Sequence, residues 1–108
     1  MEDCVFCGII AKKIPAKIVY EDESIIVFPD IQPRKPVHLL IVPKEHLEDF
    51  TDINDKELWF HIKEVIKKVA EDQDLKGKGF RMGINAFGAQ AVPHAHIHLM
   101  GPWQPTEF

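Results

Sequence analysis

Three of the six histidines fall within five residues, as His94-Ala95-His96-Ile97-His98. Side chains alternate faces in an extended segment, so the three imidazoles share one side and Ala95, Ile97 and Leu99 share the other. Imidazole titrates near neutral pH, ligates transition metals and attacks phosphorus, which narrows the chemistry of such a row. One reading is a metal site built on alternate imidazoles. A second makes the middle histidine a nucleophile at phosphorus, with flanking imidazoles and backbone amides holding the oxygens. A third is a solvated histidine face with no chemistry. The polar residues nearby, Asn85 and Gln90, are poor metal ligands but suitable partners for a phosphate or a leaving group. Cys4-x-x-Cys7 is a weaker motif, compatible with metal ligation, a redox pair or two buried thiols.

The elements that must position these residues can be read from periodicity and turn chemistry. Val5, Phe6, Ile9 and Ile10 make one apolar stripe on a short helix over 4–12, ended by Pro15. Residues 18–20, 24–28 and 37–42 read as strands, broken by Glu21-Asp22-Glu23 and by the proline-rich 29–36 segment. A long helix starts at Asn54 as N-cap, with Glu57 three residues on, and buries Leu58, Ile62, Val65, Ile66 and Val69. His61 on that helix reads as a surface residue. Gly77 and Gly79 mark its exit, and strands over 80–85 and 94–100 follow, separated by the 88–93 loop. Short connections between strands predict an antiparallel five-stranded sheet with helices on one face, an α+β architecture.

At 108 residues the chain is expected to form one domain over 1–108, and dimerisation would be a natural way to add buried surface. A net charge of −4 with scattered basic residues argues against a grip on nucleic acid polyanions, though a small nucleotide needs only a local site. The acidic start lacks a basic-then-apolar leader, and no apolar run reaches the length of a membrane span. Two cysteines are too few for a disulfide framework. These features lead to the expectation of a cytoplasmic protein that binds neither membrane nor nucleic acid.

The stretch from Gly88 to Leu99 resembles the signature of the histidine triad (HIT) family. Upstream, residues 14–22, 28–31 and 37–46 resemble the Hint branch of that family in the same order, so the match covers nearly the whole chain. The resemblance implies a HIT fold and a nucleotide hydrolase or transferase acting at the α-phosphorus of purine nucleoside 5′-phosphate derivatives. His96 would form a covalent nucleotidyl intermediate that water then hydrolyses. His98 would hydrogen-bond the α-phosphate, with His94 and His38 as further active-site imidazoles. Asp30 would bind the ribose hydroxyls. Phe6, Ile9, Phe28, Ile31 and Leu40 would line the base pocket, and Asn85 and Gln90 would lie near the phosphate and leaving group. Read without the resemblance, those apolar residues are core and Asp30 is a turn acid.

No cofactor is required for the chemistry so implied. Some HIT relatives with the cysteine pair bind zinc, and the corresponding ligands here would be Cys4, Cys7, His46 and His94, a closed tetrahedral set that leaves His96 free. A homodimer, as in Hint relatives, is the expected assembly. Ala91 stands where such relatives carry a serine or threonine that helps protonate the leaving group, and both the 85–90 loop and the tail after Gly101 are short. Leaving-group preference is therefore not carried over. Two rivals remain: a nucleotide-binding or scaffold protein with little turnover, and a catalytic metal on the triad itself.

Overall fold

The computed structural model describes residues 3–106, so both ends of the domain drawn over 1–108 lie outside the described residues. A five-stranded antiparallel sheet forms its centre, in the order β1 (Tyr20–Glu21), β2 (Ile25–Pro29), β3 (Val37–Pro43), β5 (Ile97–Gly101), β4 (Arg81–Gly83). Helix α1 spans Val5–Ile10 and helix α2 spans Lys56–Asp72, with a 3₁₀ turn at Phe50–Asp52. This is the α+β arrangement expected from the sequence.

One expectation is corrected. The helices cover opposite faces of the sheet, not one. Ile25, Val27, Leu39, Ile41, Ile97 and Leu99 pack with Ile62, Val65, Ile66 and Val69 of α2. The alternate residues Ile26, Phe28, Leu40 and Val42 pack with Phe6 and Ile9 of α1. The reason was present in β2 and β3: Ile25–Phe28 and Leu39–Val42 are continuous apolar runs, and such a strand needs cover on both sides.

Boundaries shift by small amounts. Asp55 rather than Asn54 caps α2, its side chain accepting the Glu57 N–H at 2.9 Å. His61 lies at the surface as expected, its side chain 42% exposed, and its Nε2, 2.6 Å from Oδ2 of Asp22, ties α2 to the β1–β2 turn. Asp49 was not anticipated: it caps the 3₁₀ turn and accepts the Phe87 N–H at 2.8 Å, anchoring the loop that leads into the triad. The Asp49-x-x-Asp52 spacing was the available signal. No helix among the described residues is long and apolar enough to cross a membrane.

Candidate active site

The triad occupies the first residues of β5 and the extended segment ahead of it. Alternation holds: Ala95, Ile97 and Leu99 join the α2-side core, while the three histidines face the α1 side. Phe6 packs edge-on against His96 and His94, with ring centroids 5.0 and 5.8 Å apart, and against Phe28 at 5.4 Å. Ile9 and Leu40 lie in the same buried cluster as these two phenylalanines. Ile31 does not, standing 94% exposed beside Asp30.

Each imidazole nitrogen that meets protein has a distinct partner, and these partners determine the tautomers. A carbonyl can only accept, so His96 Nδ1 donates to the His94 carbonyl at 2.7 Å, and the neutral ring then carries its lone pair on Nε2. His94 donates from Nε2 to the Pro43 carbonyl at 2.8 Å. Its Nδ1 lone pair accordingly faces Cys4 Sγ at 3.4 Å and Cys7 Sγ at 3.6 Å. A relay runs through the other two: the Arg34 N–H donates to His38 Nδ1 at 3.0 Å, and His38 Nε2 lies 2.9 Å from His98 Nδ1. With Nδ1 of His38 accepting, its Nε2 is the donor to His98, which leaves the His98 proton on Nε2. Arg34 was missed at the sequence level because a main-chain donor leaves no mark in residue type.

Burial holds His38, His94 and His98 below the usual histidine range, which keeps these rings neutral near pH 7. Asp30 works against this at His38 and His98, its Oδ2 lying 3.4 Å from His38 Nε2 and 3.7 Å from His98 Nδ1. The carboxylate is positioned by the ladder bond from its own N–H to the His38 carbonyl at 2.9 Å, and Oδ1 accepts the Gln32 N–H.

The triad imidazoles do not converge on a point where one metal could sit. Two other groups bring ligand atoms within 4.8 Å of one another: Cys4, Cys7, His46 and His94, and Asp30, His38 and His98. In the second, His38 and His98 are already bonded to each other. The first fits zinc, since it offers two thiols and two imidazole Nδ1 atoms, with His46 Nδ1 3.2 Å from Cys7 Sγ. Cys4 also caps α1 through its sulfur, and burial pushes the Cys7 thiol up when no metal is bound.

Asn85 and Gln90 lie apart from these contacts. Asn85 is exposed, two residues past the end of β4. Gln90 turns its amide to the main chain, donating to the Glu48 carbonyl at 2.9 Å and accepting the Gly88 N–H at 3.1 Å. It braces the loop rather than facing the triad.

Comparison with known proteins places this geometry. A family model described as "Scavenger mRNA decapping enzyme C-term binding" matches residues 3–108. An HIT-like protein of Buchnera aphidicola is 38% identical over 93% of this chain and 91% of its own length. One of Methanocaldococcus jannaschii is 43% identical over 90% and 77%. Among solved structures, an HIT family hydrolase of Clostridium thermocellum superposes with TM-score 0.90 at 41% identity, covering 100% of this chain and 96% of that one. An HIT family hydrolase of Legionella pneumophila gives TM-score 0.87 at 42% identity, covering 96% of each. With its motifs, its sheet order and its relatives in agreement along nearly the full length, the chain belongs to the histidine triad family.

Proposed function

We propose that the protein is a nucleotide hydrolase or transferase of the Hint type that cleaves purine nucleoside 5′-phosphate derivatives at the α-phosphorus through a nucleotidyl adduct on His96. The observation that carries this reading is the 2.7 Å bond from His96 Nδ1 to the His94 carbonyl. It holds the ring in the tautomer whose Nε2 lone pair can attack. The relay from the Arg34 N–H through His38 leaves His98 Nε2–H as a donor to the phosphoryl oxygens. Asp30 would accept the ribose hydroxyls, and Phe6, Ile9, Phe28 and Leu40 would receive the base, with Ile31 closing over it. Phosphoramidates, adenylylated compounds and dinucleoside polyphosphates are the substrate classes. Rapid quench with a labelled nucleotide substrate should trap label on His96. Label on His38, or nucleotide bound without any adduct, would favour the binding-protein reading.

Zinc on Cys4, Cys7, His46 and His94 would have four protein ligands and no open position, so its contribution would be structural. It would tie α1 to the segment that orients His96. The pair of free thiols suits a reducing compartment such as the cytoplasm.

We also propose a homodimer. The three-residue β4 is an edge strand, and between it and α2 lies an apolar groove of about 610 Å³ lined by Trp59, Ile66, Phe80, Met82 and Ile84. A second copy pairing edge to edge would continue the sheet and cover the groove. A monomer by light scattering at high micromolar concentration would overturn this.

A further inference from the structure

The sheet face that carries the histidines continues past them. His38 pairs with Met100 and Met100 with Arg81. Directly opposed residues in antiparallel strands project to one side, so His38, Met100 and Arg81 form one row across β3, β5 and β4. Leu40, His98 and Gly83 form the next row, and His96 lies one further same-face step along. The order along the chain is His96, His98, Met100, at roughly 7 Å per step. With a nucleophile at His96 and phosphorus over His98, in-line departure would send the leaving group toward Met100 and Arg81, the next same-face residues.

That end of the face is cationic. The Trp103 indole carries Arg81 Cζ 5.0 Å and Lys35 Nζ 4.7 Å from its ring centre. Trp103 is held there by its N–H on the Gly79 carbonyl at 3.0 Å. Gly79 is required for this approach: its φ is +80°, and a Cβ would stand 2.5 Å from the Trp103 carbonyl oxygen. Arg34, adjacent to Lys35, is close enough that its charge opposes protonation of both His38 and His98. Lys12, Lys44, Lys63, Lys68 and Lys78 each pair with a carboxylate, but among the described residues the Arg34 and Arg81 guanidinium groups do not. In a chain of net charge −4, this gathers positive charge beside the triad, where the Asp30 carboxylate against His38 and His98 is the facing acid.

We propose that Arg34 and Arg81, with Lys35 and held by Trp103, form a leaving-group subsite that favours substrates releasing a phosphorylated group, as dinucleoside polyphosphates do, over those releasing an uncharged amine. This rests on the reading of His96 as the nucleophile. His96 Nε2 bonds to the α-phosphorus as the bond from that phosphorus to the bridging oxygen breaks. The electron pair stays on that oxygen, which leaves as the terminal phosphate of the departing nucleotide and needs no proton at neutral pH. The two guanidinium forks match phosphate oxygens and gain as charge builds on the bridging oxygen. Water then forms the new P–O bond as the P–N bond breaks, its proton passes to solvent, and neutral His96 and a nucleoside monophosphate result. Trp103 is a positioning residue.

The test compares kcat/KM for diadenosine tetraphosphate with that for adenosine 5′-phosphoramidate in the full chain and in the Arg34→Gln/Arg81→Gln variant. At about threefold for each exposed charge contact, the ratio should fall about tenfold; a fall of less than threefold overturns the subsite. Equilibrium binding in the His96→Ala background reads the same contacts without turnover. There the two arginine substitutions should weaken diadenosine tetraphosphate about tenfold more than adenosine 5′-monophosphate, and equal weakening overturns the proposal. Absence of an adduct on His96 would instead count against the nucleophile reading, leaving the binding comparison to decide the subsite.

Discussion

The two faces of residues 94–97, leading into β5, are both buried, while along β5 the α2 side stays buried and His98 and Met100 on the other side are half-buried. Ala95, Ile97 and Leu99 are 2, 4 and 0% exposed on the α2 side, and His94 and His96 are 0 and 7% exposed on the α1 side. The aliphatic face is held by volume and area, which are non-directional, so neighbours can adjust around a change. On the histidine face each ring is fixed through a particular partner: the Pro43 carbonyl for His94 Nε2, the His94 carbonyl for His96 Nδ1, His38 for His98 Nδ1. Among the described residues no buried side-chain nitrogen or oxygen lacks a partner. Burial therefore stabilises on one face and fixes tautomers on the other, and substitutions on the two faces should separate stability from activity.

The largest expected effect is on the histidine face. His96→Ala should lower single-turnover nucleotide cleavage by a factor on the order of 10⁴, roughly 5.4 kcal/mol of barrier, while leaving nucleotide binding nearly intact. Wild-type turnover in this variant would remove the distinction between the faces.

Leu99→Ala, one residue beyond His98 on the opposite face, should do the reverse. It leaves a cavity beneath α2 and should cost about 3 kcal/mol in urea unfolding, with the activity of the remaining folded protein close to wild type. A comparable loss of intrinsic activity would show that the histidine geometry depends on the packing behind it.

Zinc on Cys4, Cys7, His46 and His94 would sharpen the comparison by joining the histidine face to α1. Zinc added at a hundred times its dissociation constant should stabilise the wild type by about 2.7 kcal/mol and leave Cys4→Ser without that gain. Metal analysis finding no zinc in protein prepared without chelator would remove the site.

The smallest effect concerns a histidine outside the triad. Burial pushes the Asp22 carboxyl up, but bonds from Tyr20 Oη, the Ser24 N–H, His61 and the Ile25 N–H outweigh it and hold the group at about 2 against an ordinary 3.8. A depressed carboxylate pKa contributes stability that is fully present above 3.8 and is lost as pH falls toward 2. That contribution is about 2 kcal/mol. Urea titrations should show it in the wild type and not in Asp22→Asn; an unchanged acid profile would mean that the tie between α2 and the β1–β2 turn carries no stability.

His61 and His96 also show what residue type can and cannot reveal. The period-2 placement of His94, His96 and His98 was readable because a strand turns sequence spacing into a shared face. The apolar runs of β2 and β3 likewise announced buried strands, though not that α1 and α2 would take opposite faces. The family was legible from ordered motifs spanning the chain. Caps were found to within one residue, since Asn54 and Asp55 are chemically close and only backbone geometry separates them.

What the chain determined by itself was its local periodicity and the identity of its chemical groups, because both are properties of neighbouring residues. Tertiary structure decided which groups meet. Cys4 and His94 are 90 positions apart and lie 3.4 Å from each other. His38 and His98 are 60 apart and share a hydrogen bond, and Arg81 and Lys35 meet over one indole. Strand order and register bring these pairs together. They depend on how two faces of one sheet are covered at the same time, which no local stretch of sequence contains.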